Sequence, residues 1–396
     1  MNLQEEINTL LKEDVSSVQA FERSAFDQLA APYENNIVLF GAGGLGKRTL
    51  GGLRKVGIEP IAFTDNNPSS WGTMIDHVPV IEPGEAVRRY GKNSTFVLTI
   101  LNDIIGHPRA AISRQLKAMG SVNLVSFAFL YWKYPQIFLP YYSLDLPHKL
   151  TLQRDQILAA SNLWFDEESE KEYLSQLKWR FLFNLDGMDQ PKETFTHFPT
   201  NIFEFDRDLI FVDCGAFDGD TISKFLAQQG SSFGKILALE PDQANYQKLQ
   251  AYVRSLPKSI SAKIHTYPQA VAGHRGKVFF DAQGSVNSAI SETGKFEVEC
   301  IPLDEILVDH APTLIKMDIE GAEPDALDGM RNFAKAELPI LEISVYHQYD
   351  HLWTLPLKIR DLSNRYRLFL RAHRTGGFDL VCYAVPDHRL HPGLKK

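Results

Sequence analysis

Cysteine is scarce in this chain: three residues in 396, Cys214, Cys300 and Cys382, with no C-x-x-C pair among them. An odd number without that spacing excludes a disulfide framework and signals no metal site, and a reducing compartment, the cytoplasm, is the expected location. Long apolar runs are missing too. The longest, LVSFAFLYW, is about half of a membrane span, and the opening MNLQEEINTLLKEDV is acidic, without the basic start and apolar stretch of a secretion signal. Neither membrane insertion nor secretion is expected. Nor is there an excess of positive charge: 41 Lys and Arg stand against 49 Asp and Glu, a formal net charge of -8. A nucleic-acid-binding face needs concentrated basic residues to replace phosphate counterions, so no nucleic-acid partner is expected and a small molecule or glycan is. Internal repeats and low-complexity segments are also lacking.

What is present is an ordinary globular composition, 44% hydrophobic and 23% charged, long enough for two or three domains. Residues 2–30 read as amphipathic helix, with Leu3, Ile7, Leu10 and Leu11 at helical spacing. From 36 the chain runs NNIVLF, a glycine-rich turn, KRTLGGLRKVG and IEPIAFTD: strand, turn, helix and strand, as in a βαβ unit. STFVLTIL and VNLVSF add strands around the helix HPRAAISRQLKAMG, which Gly120 would end. Residues 131–200, aromatic and proline-rich and then charged, read as a bridging helical segment between a first domain, 1–130, and a second, 201–396. In the second, β/α alternation resumes with strands at LIFVDC, KILALEP, AKIHTYPQAV, PTLIKMDI and LPILEISVY. YRLFLRAHR and DLVCYAVP then form an antiparallel hairpin at the sheet edge. The expected fold class is α/β, with two Rossmann-like domains.

The stretch LIFVDCGAFDGDT places glycines and acids at the end of a buried strand, where ligands lie in an open parallel sheet. Gly215 and Gly219 let backbone approach a ligand, and Asp213 can accept hydrogen bonds or face a cation. Glu240 ends the next strand 21 residues after Gly219, about the spacing at which an acid receives ribose hydroxyls. Both acids repel phosphate, and a cofactor with ribose and positive charge but no pyrophosphate, S-adenosylmethionine, satisfies them. The plainer alternatives are helix starts: Asp213 as an N-cap, and Glu240 with Pro241 opening a helix. Further along, Asp318, Glu320 and Glu323 emerge at the same sheet edge, either orienting a cationic ligand or enriching a helix N-terminus, with Gly321 as a turn. Carboxylates of this kind also suit Mg²⁺ or Ca²⁺, although no strong spacing points to one. Strand five delivers Glu342, His347 and His351, which could reach an acceptor or serve as satisfied structural residues.

Taken together and in order, VDCGAFDGDT, ALEPD, PLDEIL, IKMDIEGAEPDAL, ISVYH and FLRAHR make residues 160–386 resemble the FkbM family of class I methyltransferases, with IKMDIEGAE the most specific of these segments. The resemblance implies a class I fold, a mostly parallel sheet with an antiparallel C-terminal edge hairpin. It implies S-adenosylmethionine as cofactor and methyl transfer, usually to an oxygen of a sugar or secondary metabolite. It carries Asp213, Gly215, Gly219 and Glu240 over as cofactor-binding positions, with Asp220 and Asp242 beside them in the same motifs, and Asp318 as an active-site position. His347 and Glu342 join it as catalytic candidates. Histidine titrates nearest neutrality, which favours His347 as the base, while Asp318 would orient the acceptor or His347.

In the first half, LFGAGGLGKRTL holds G-x-G-x-x-G as Gly41, Gly43 and Gly46 between a strand and a helix, with Asp65 19 residues after Gly46. Alone this reads as NAD binding, which would make an oxidoreductase. TDNNPSSWGTMIDHVPVIEP, however, resembles the Asp-Asn-x-Pro stretch of small domains that hold a nucleotide-sugar ahead of sugar-modifying transferases. Glycines at a helix N-terminus suit any pyrophosphate. The remaining alternatives are a non-catalytic nucleotide-binding module and glycines that serve only the tight turn.

Overall fold

A computed structural model describes residues 2–100, 109–120, 123–183, 197–205, 207–281, 289–290, 296–374 and 377–395. The chain forms two compact units, each assembled from separate stretches: Met1–Asp155, Leu174–Gln190 and Arg374–Phe378 in the first, and Gln156–Tyr173, Pro191–His373 and Asp379–Lys396 in the second. The segment 131–200 is thus shared between the two.

The first unit opens with two helices, Leu3–Leu10 and Val15–Ala30, where one was expected. The reason is capping: the Asn2 side chain accepts from Glu5 N–H, and Asp14 accepts from Ser17 N–H and starts a second helix. The sheet is built from β1 (Ile37–Phe40), β2 (Ala62–Thr64), β3 (Met74–Ile75), β4 (Val78–Ile81), β5 (Thr95–Leu98) and β6 (Asn123–Ser126), in the order β3-β4-β2-β1-β5-β6. All pairs are parallel except the short hairpin β3-β4. Every residue of β1, β2 and β5 is buried, as expected for strands covered on both faces.

In the second unit the strands are β7 (Ile210–Cys214), β8 (Lys235–Leu239), β9 (Ile264–Tyr267), β10 (Ala270–Val271), β11 (Gly276–Asp281), β12 (Ala289–Ile290), β13 (Phe296–Ile301), β14 (Leu314–Met317), β15 (Ile340–Ser344), β16 (Tyr366–Ala372) and β17 (Leu380–Pro386). The main sheet runs β16-β17-β15-β14-β7-β8-β9. Its strands are parallel from β15 to β9, and β17 pairs antiparallel with both β15 and β16. AKIHTYPQAV is not one strand. Pro268 has no N–H to continue the ladder, so β9 ends at Tyr267 and Ala270–Val271 joins a second sheet, β10-β13-β11-β12. The edge at β16 is covered by residues just before the helix Glu167–Leu182. Phe165 N–H donates to Leu368 O at 2.9 Å, Leu370 N–H donates to Ser169 Oγ at 2.9 Å, and Arg371 Nη2 lies 2.6 Å from Asp166 Oδ2. The edge therefore presents fewer unpaired backbone groups.

One face of the main sheet carries a hydrophobic core cluster, with Phe198, Phe211, Phe225, Ile236, Leu314, Ile340 and Phe369 among its members. Among the described residues no helix is long and apolar enough to cross a membrane, and all three cysteines are buried and free.

Candidate active site

On the core face, one residue pair nearer the carboxyl ends than the apolar row Phe211–Leu314–Ile340, the strands carry a polar row. Asp213 on β7 is the register partner of Lys316 on β14, which is the partner of Glu342 on β15, which is the partner of Tyr383 on β17. Lys316 Nζ donates to Asp213 Oδ1 at 3.0 Å and to Gly215 O at 3.2 Å, and the two side chains are 4% and 0% exposed. Burial pushes the Asp213 carboxyl up to about 6 against the pull of Lys316. Burial also works against the ammonium, but Asp213, Asp318 and Asp220 reverse it and hold the amine above its ordinary range. Asp213 does not cap a helix: the helix Asp220–Gln229 starts from Gly219.

Past β7 the turn is fixed by its own backbone. Gly215 and Ala216 N–H groups both donate to Leu239 O at 3.0 Å, and Gly215, Phe217 and Gly219 adopt positive φ, +80°, +48° and +92°. A Cβ on Gly215 would lie 2.0 Å from Asp318 O, and one on Gly219 2.5 Å from the Tyr252 ring. These glycines are therefore required by the protein's own packing, where the sequence suggested only the approach of a ligand. Glu240, 6% exposed, accepts from Phe217 N–H and Asp242 N–H, each at 2.9 Å. Each carboxylate oxygen keeps a further lone pair for a hydroxyl donor. Burial pushes its carboxyl up to about 7. Asp242, by contrast, is spent as the N-cap of the helix Gln243–Ser255, accepting from Ala244 and Asn245 N–H. Asp220 is half exposed and pairs with Lys224 at 3.0 Å.

The turn after β14 brings the remaining acids together. Asp318 N–H donates to Cys214 O, tying the turn to β7. Glu320 and Gly321 adopt positive φ, +54° and +104°, a strain that a non-glycine residue bears only when its surroundings enforce it. Asp318 keeps 31% of its side-chain surface and Glu320 23%. His347, 1% exposed, places Nδ1 2.7 Å from Glu323 Oε1 and Nε2 3.1 Å from Asp318 Oδ1, the latter within ion-pair reach but off the line of a hydrogen bond. Tyr346 donates to Asp318 Oδ1 at 3.3 Å, and its ring packs on His347 with centroids 4.2 Å apart. The two half-buried acids ionise differently. Burial opposes the Asp318 charge, but His347 and Lys316 overcome it and hold the carboxyl well below the usual range. Burial, with Asp318 and Glu323 nearby, pushes Glu320 up to about 7.

Glu342 is not at this edge. It is 1% exposed and lies 2.8 Å from His197 Nδ1, and Lys224 approaches His197 Nε2 at 3.4 Å. Burial pushes the Glu342 carboxyl up, and burial with the charges of Lys316 and Lys224 pushes the His197 ring down. His351 lies below the site, 3.5 Å from Glu323 Oε2. His197 went unread in the sequence because nothing in its neighbourhood, ETFTHFP, marks a pairing across 145 residues.

In the first unit, Gly41 (φ +117°) and Gly46 sit where a Cβ would meet Thr99 O at 2.8 Å and Gly41 O at 2.0 Å, whereas a Cβ on Gly43 would meet nothing within 4 Å. Asp65 accepts from Ala42 N–H at 2.7 Å and from Asn67 N–H at 2.8 Å, so it braces the turn.

No protein of curated function matches the chain. A solved structure of the methyltransferase FkbM from Methylobacillus flagellatus KT aligns with it at 20% identity over 96% of this chain and 99% of that one, with a TM-score of 0.77. UDP-D-quinovosamine 4-dehydrogenase from Vibrio fischeri aligns over 23% of this chain and 76% of its own at 22% identity and a TM-score of 0.20. A putative rRNA methylase from Clostridium thermocellum does so over 46% and 89% at 8% and 0.31. At TM-scores this low the likeness is local. Residues 213–371 match the family model described as the methyltransferase FkbM domain. That span runs from the buried Asp213 to Arg371 at the covered sheet edge and takes in the turn of Asp318 and Glu320, so the match to the methyltransferase FkbM domain lies within the second unit.

Proposed function

We propose that the protein transfers a methyl group from S-adenosylmethionine to a hydroxyl oxygen of a sugar, a nucleotide-linked glycan precursor or a secondary metabolite. The observation that carries this reading is the match of residues 213–371 to the methyltransferase FkbM domain, within which Asp318 and Glu320 share one sheet edge beside His347, Asp318 held low and Glu320 pushed up to about 7. Environments that drive two such groups apart assign them different acid-base roles. When bound, S-adenosylmethionine supplies a methyl already activated on a cationic sulfur. The chain's residues suit it: Glu240 has lone pairs to spare for ribose hydroxyls, and acids face the position of positive charge. Asp318, a charged but weak base, accepts the acceptor's O–H and orients its oxygen. Glu320, matched to neutral pH, takes the proton as the methyl arrives. This reading moves the base from His347, whose ring lies between two carboxylates and is suited to keep a proton, to Glu320.

Calorimetry with S-adenosylmethionine and its demethylated product tests the donor half. Losing charge-assisted hydrogen bonds costs roughly 1.5–3 kcal/mol, so Glu240→Ala is expected to weaken donor affinity on the order of 10- to 100-fold. Unchanged affinity removes Glu240 from the site, and no binding by the wild type removes the reading. Incorporation of labelled methyl into a panel of hydroxyl compounds tests the acceptor half.

For the first unit we propose a nucleotide-linked ligand at the turn 41–46, against the N-terminus of the helix Gly44–Lys55. The open space at Gly43, between two glycines committed to packing, supports this. Gly43→Ala is expected to leave thermal stability unchanged and to weaken binding of a uridine diphosphate sugar, while Gly46→Ala unfolds the unit. If the Gly43→Ala protein binds the nucleotide-sugar as the wild type does, the ligand lies elsewhere; tight NAD binding would favour an oxidoreductase.

A further inference from the structure

Both ring nitrogens of His347 face buried or half-buried carboxylates, and the one on the inner side is fully buried. Glu323 has no exposure, and its Oε1 receives both His347 Nδ1 at 2.7 Å and Ile319 N–H at 3.0 Å. A neutral imidazole has one N–H and would turn a lone pair toward one of its two acids, whereas the doubly protonated ring serves both. An ionised Glu323 left without a cation in this interior would be strongly destabilising.

We propose that Glu323 is a positioning residue for methyl transfer: it holds His347 as an imidazolium, and the imidazolium fixes the Asp318 carboxylate, charged, at the edge of the sheet. The part played in transfer rests on the function proposed above; the state of the ring does not. The groups that face the ring all favour its charge or leave it unopposed. Asp318 and Glu320 come from the turn after β14, with Glu320 Oε2 4.0 Å from Nε2. Glu323 comes from the helix Glu323–Asp328 and His351 from the helix His351–Leu362, and Tyr346 adjoins on the chain. Asp379, just before β17, adds negative charge toward Glu320 and Tyr346. Lys316, which acts on Asp318 from the neighbouring strand, has its charge met by Asp213. Burial opposes the imidazolium, but Glu323 first and then Asp318 hold it well above its ordinary range. The arrangement also bears on the turn: by binding Ile319 N–H and His347 with one oxygen, Glu323 ties the strained Glu320–Gly321 segment to the stretch that follows β15.

The test is the full chain with ¹⁵N-labelled histidine, with His347 assigned by comparison with a His347→Gln protein. The wild type is expected to show a ring with both nitrogens protonated from about pH 6 to about pH 9, across the ordinary histidine range. Glu323→Gln keeps an acceptor for both N–H donors but removes the charge, so that resonance is expected to titrate. Its kcat should fall roughly 10- to 100-fold on the alkaline side of that titration, with donor affinity unmoved. A singly protonated or titrating His347 in the wild type overturns the proposal, as does a Glu323→Gln protein with an unaltered spectrum and pH profile. Should the variant not fold, the wild-type spectrum decides alone. Should no acceptor be methylated, the spectrum still reports on the ring while the proposed function fails separately.

Discussion

The Glu320→Gln protein is expected to lose roughly 10² to 10⁴ in kcat, the usual worth of a positioned base, and with it the pH dependence of the reaction. Burial and neighbouring acids push the Glu320 carboxyl from 4.5 up to about 7. A base works only when ionised, so the wild-type rate at saturating donor should rise with pH through about 7 and then level. Saturation matters because Glu240 is also pushed up to about 7, and its titration would otherwise enter through donor affinity. Removing the Glu320 carboxylate should leave a low, flat profile. Asp318→Asn should lower kcat strongly while keeping the limb, because the proton acceptor remains. A Glu320→Gln enzyme that retains the limb at wild-type kcat would leave a different group as the base. The same group has a stability consequence of definite sign. Its folded value lies above its ordinary one, so between about pH 4.5 and about 7 the folded chain binds the extra proton, and the stability contributed there is lost as pH rises.

Replacing Lys316 by Met should be the most damaging single change to the second unit. Lys316 and Asp213 are 4% and 0% exposed, and among the described residues Asp213 Oδ2 has no hydrogen-bond partner. Breaking a buried pair by deleting one member typically costs about 3–5 kcal/mol, because the remaining charge stays buried without compensation. Asp213 lies at about 6 even with Lys316 beside it, above its ordinary 3.8, so ionising it in the fold is already a cost that appears as pH rises. Without Lys316 that cost grows, and the deficit measured by urea unfolding should be larger near about pH 8 than near about pH 5. Adding Asp213→Leu should recover most of it, since replacing both partners by packed apolar groups is often neutral. A Lys316→Met protein within about 1 kcal/mol of the wild type, well below the cost of a broken buried pair, would mean the row is hydrated or loosely held.

The strands of the second unit were legible because LIFVDC, KILALEP, PTLIKMDI and LPILEISVY are short apolar runs, the first three closing at or next to an acid, the texture of strands covered on both faces. The places of Glu240 and Asp318 at the carboxyl end of the sheet were legible for the same reason: each follows directly on a buried apolar strand. What could not be read depends on neighbours across strands. Lys316 looked like one more residue of an apolar segment until the register set it between Asp213 and Glu342. His347 looked like a base because its sequence neighbours do not include Glu323, 24 residues away. Glu342 was read as a catalytic candidate because a strand end can face either a ligand or the core, and its buried pairing with His197, 145 residues away, had no sequence signal. The glycines were found for partly the wrong reason, since the nearest obstacle to a Cβ on Gly215 is the backbone of the Asp318 turn.

The Arg374–Phe378 segment of the first unit bears on how the chain is made. Phe378 packs on Tyr142 with ring centroids 5.2 Å apart, and Gly377 lies against Trp179, so the first unit lacks a piece of itself until the segment Arg374–Phe378, which follows most of the second unit, has left the ribosome. Multidomain chains usually complete their domains one after another during synthesis. Here the N-terminal unit must wait for the end of the C-terminal one, and a nascent chain halted anywhere before residue 374 carries two unfinished cores. Splitting the gene between the halves would yield fragments that each lack contributions from the other side of the cut, whereas co-expressing them gives both units a route to completion.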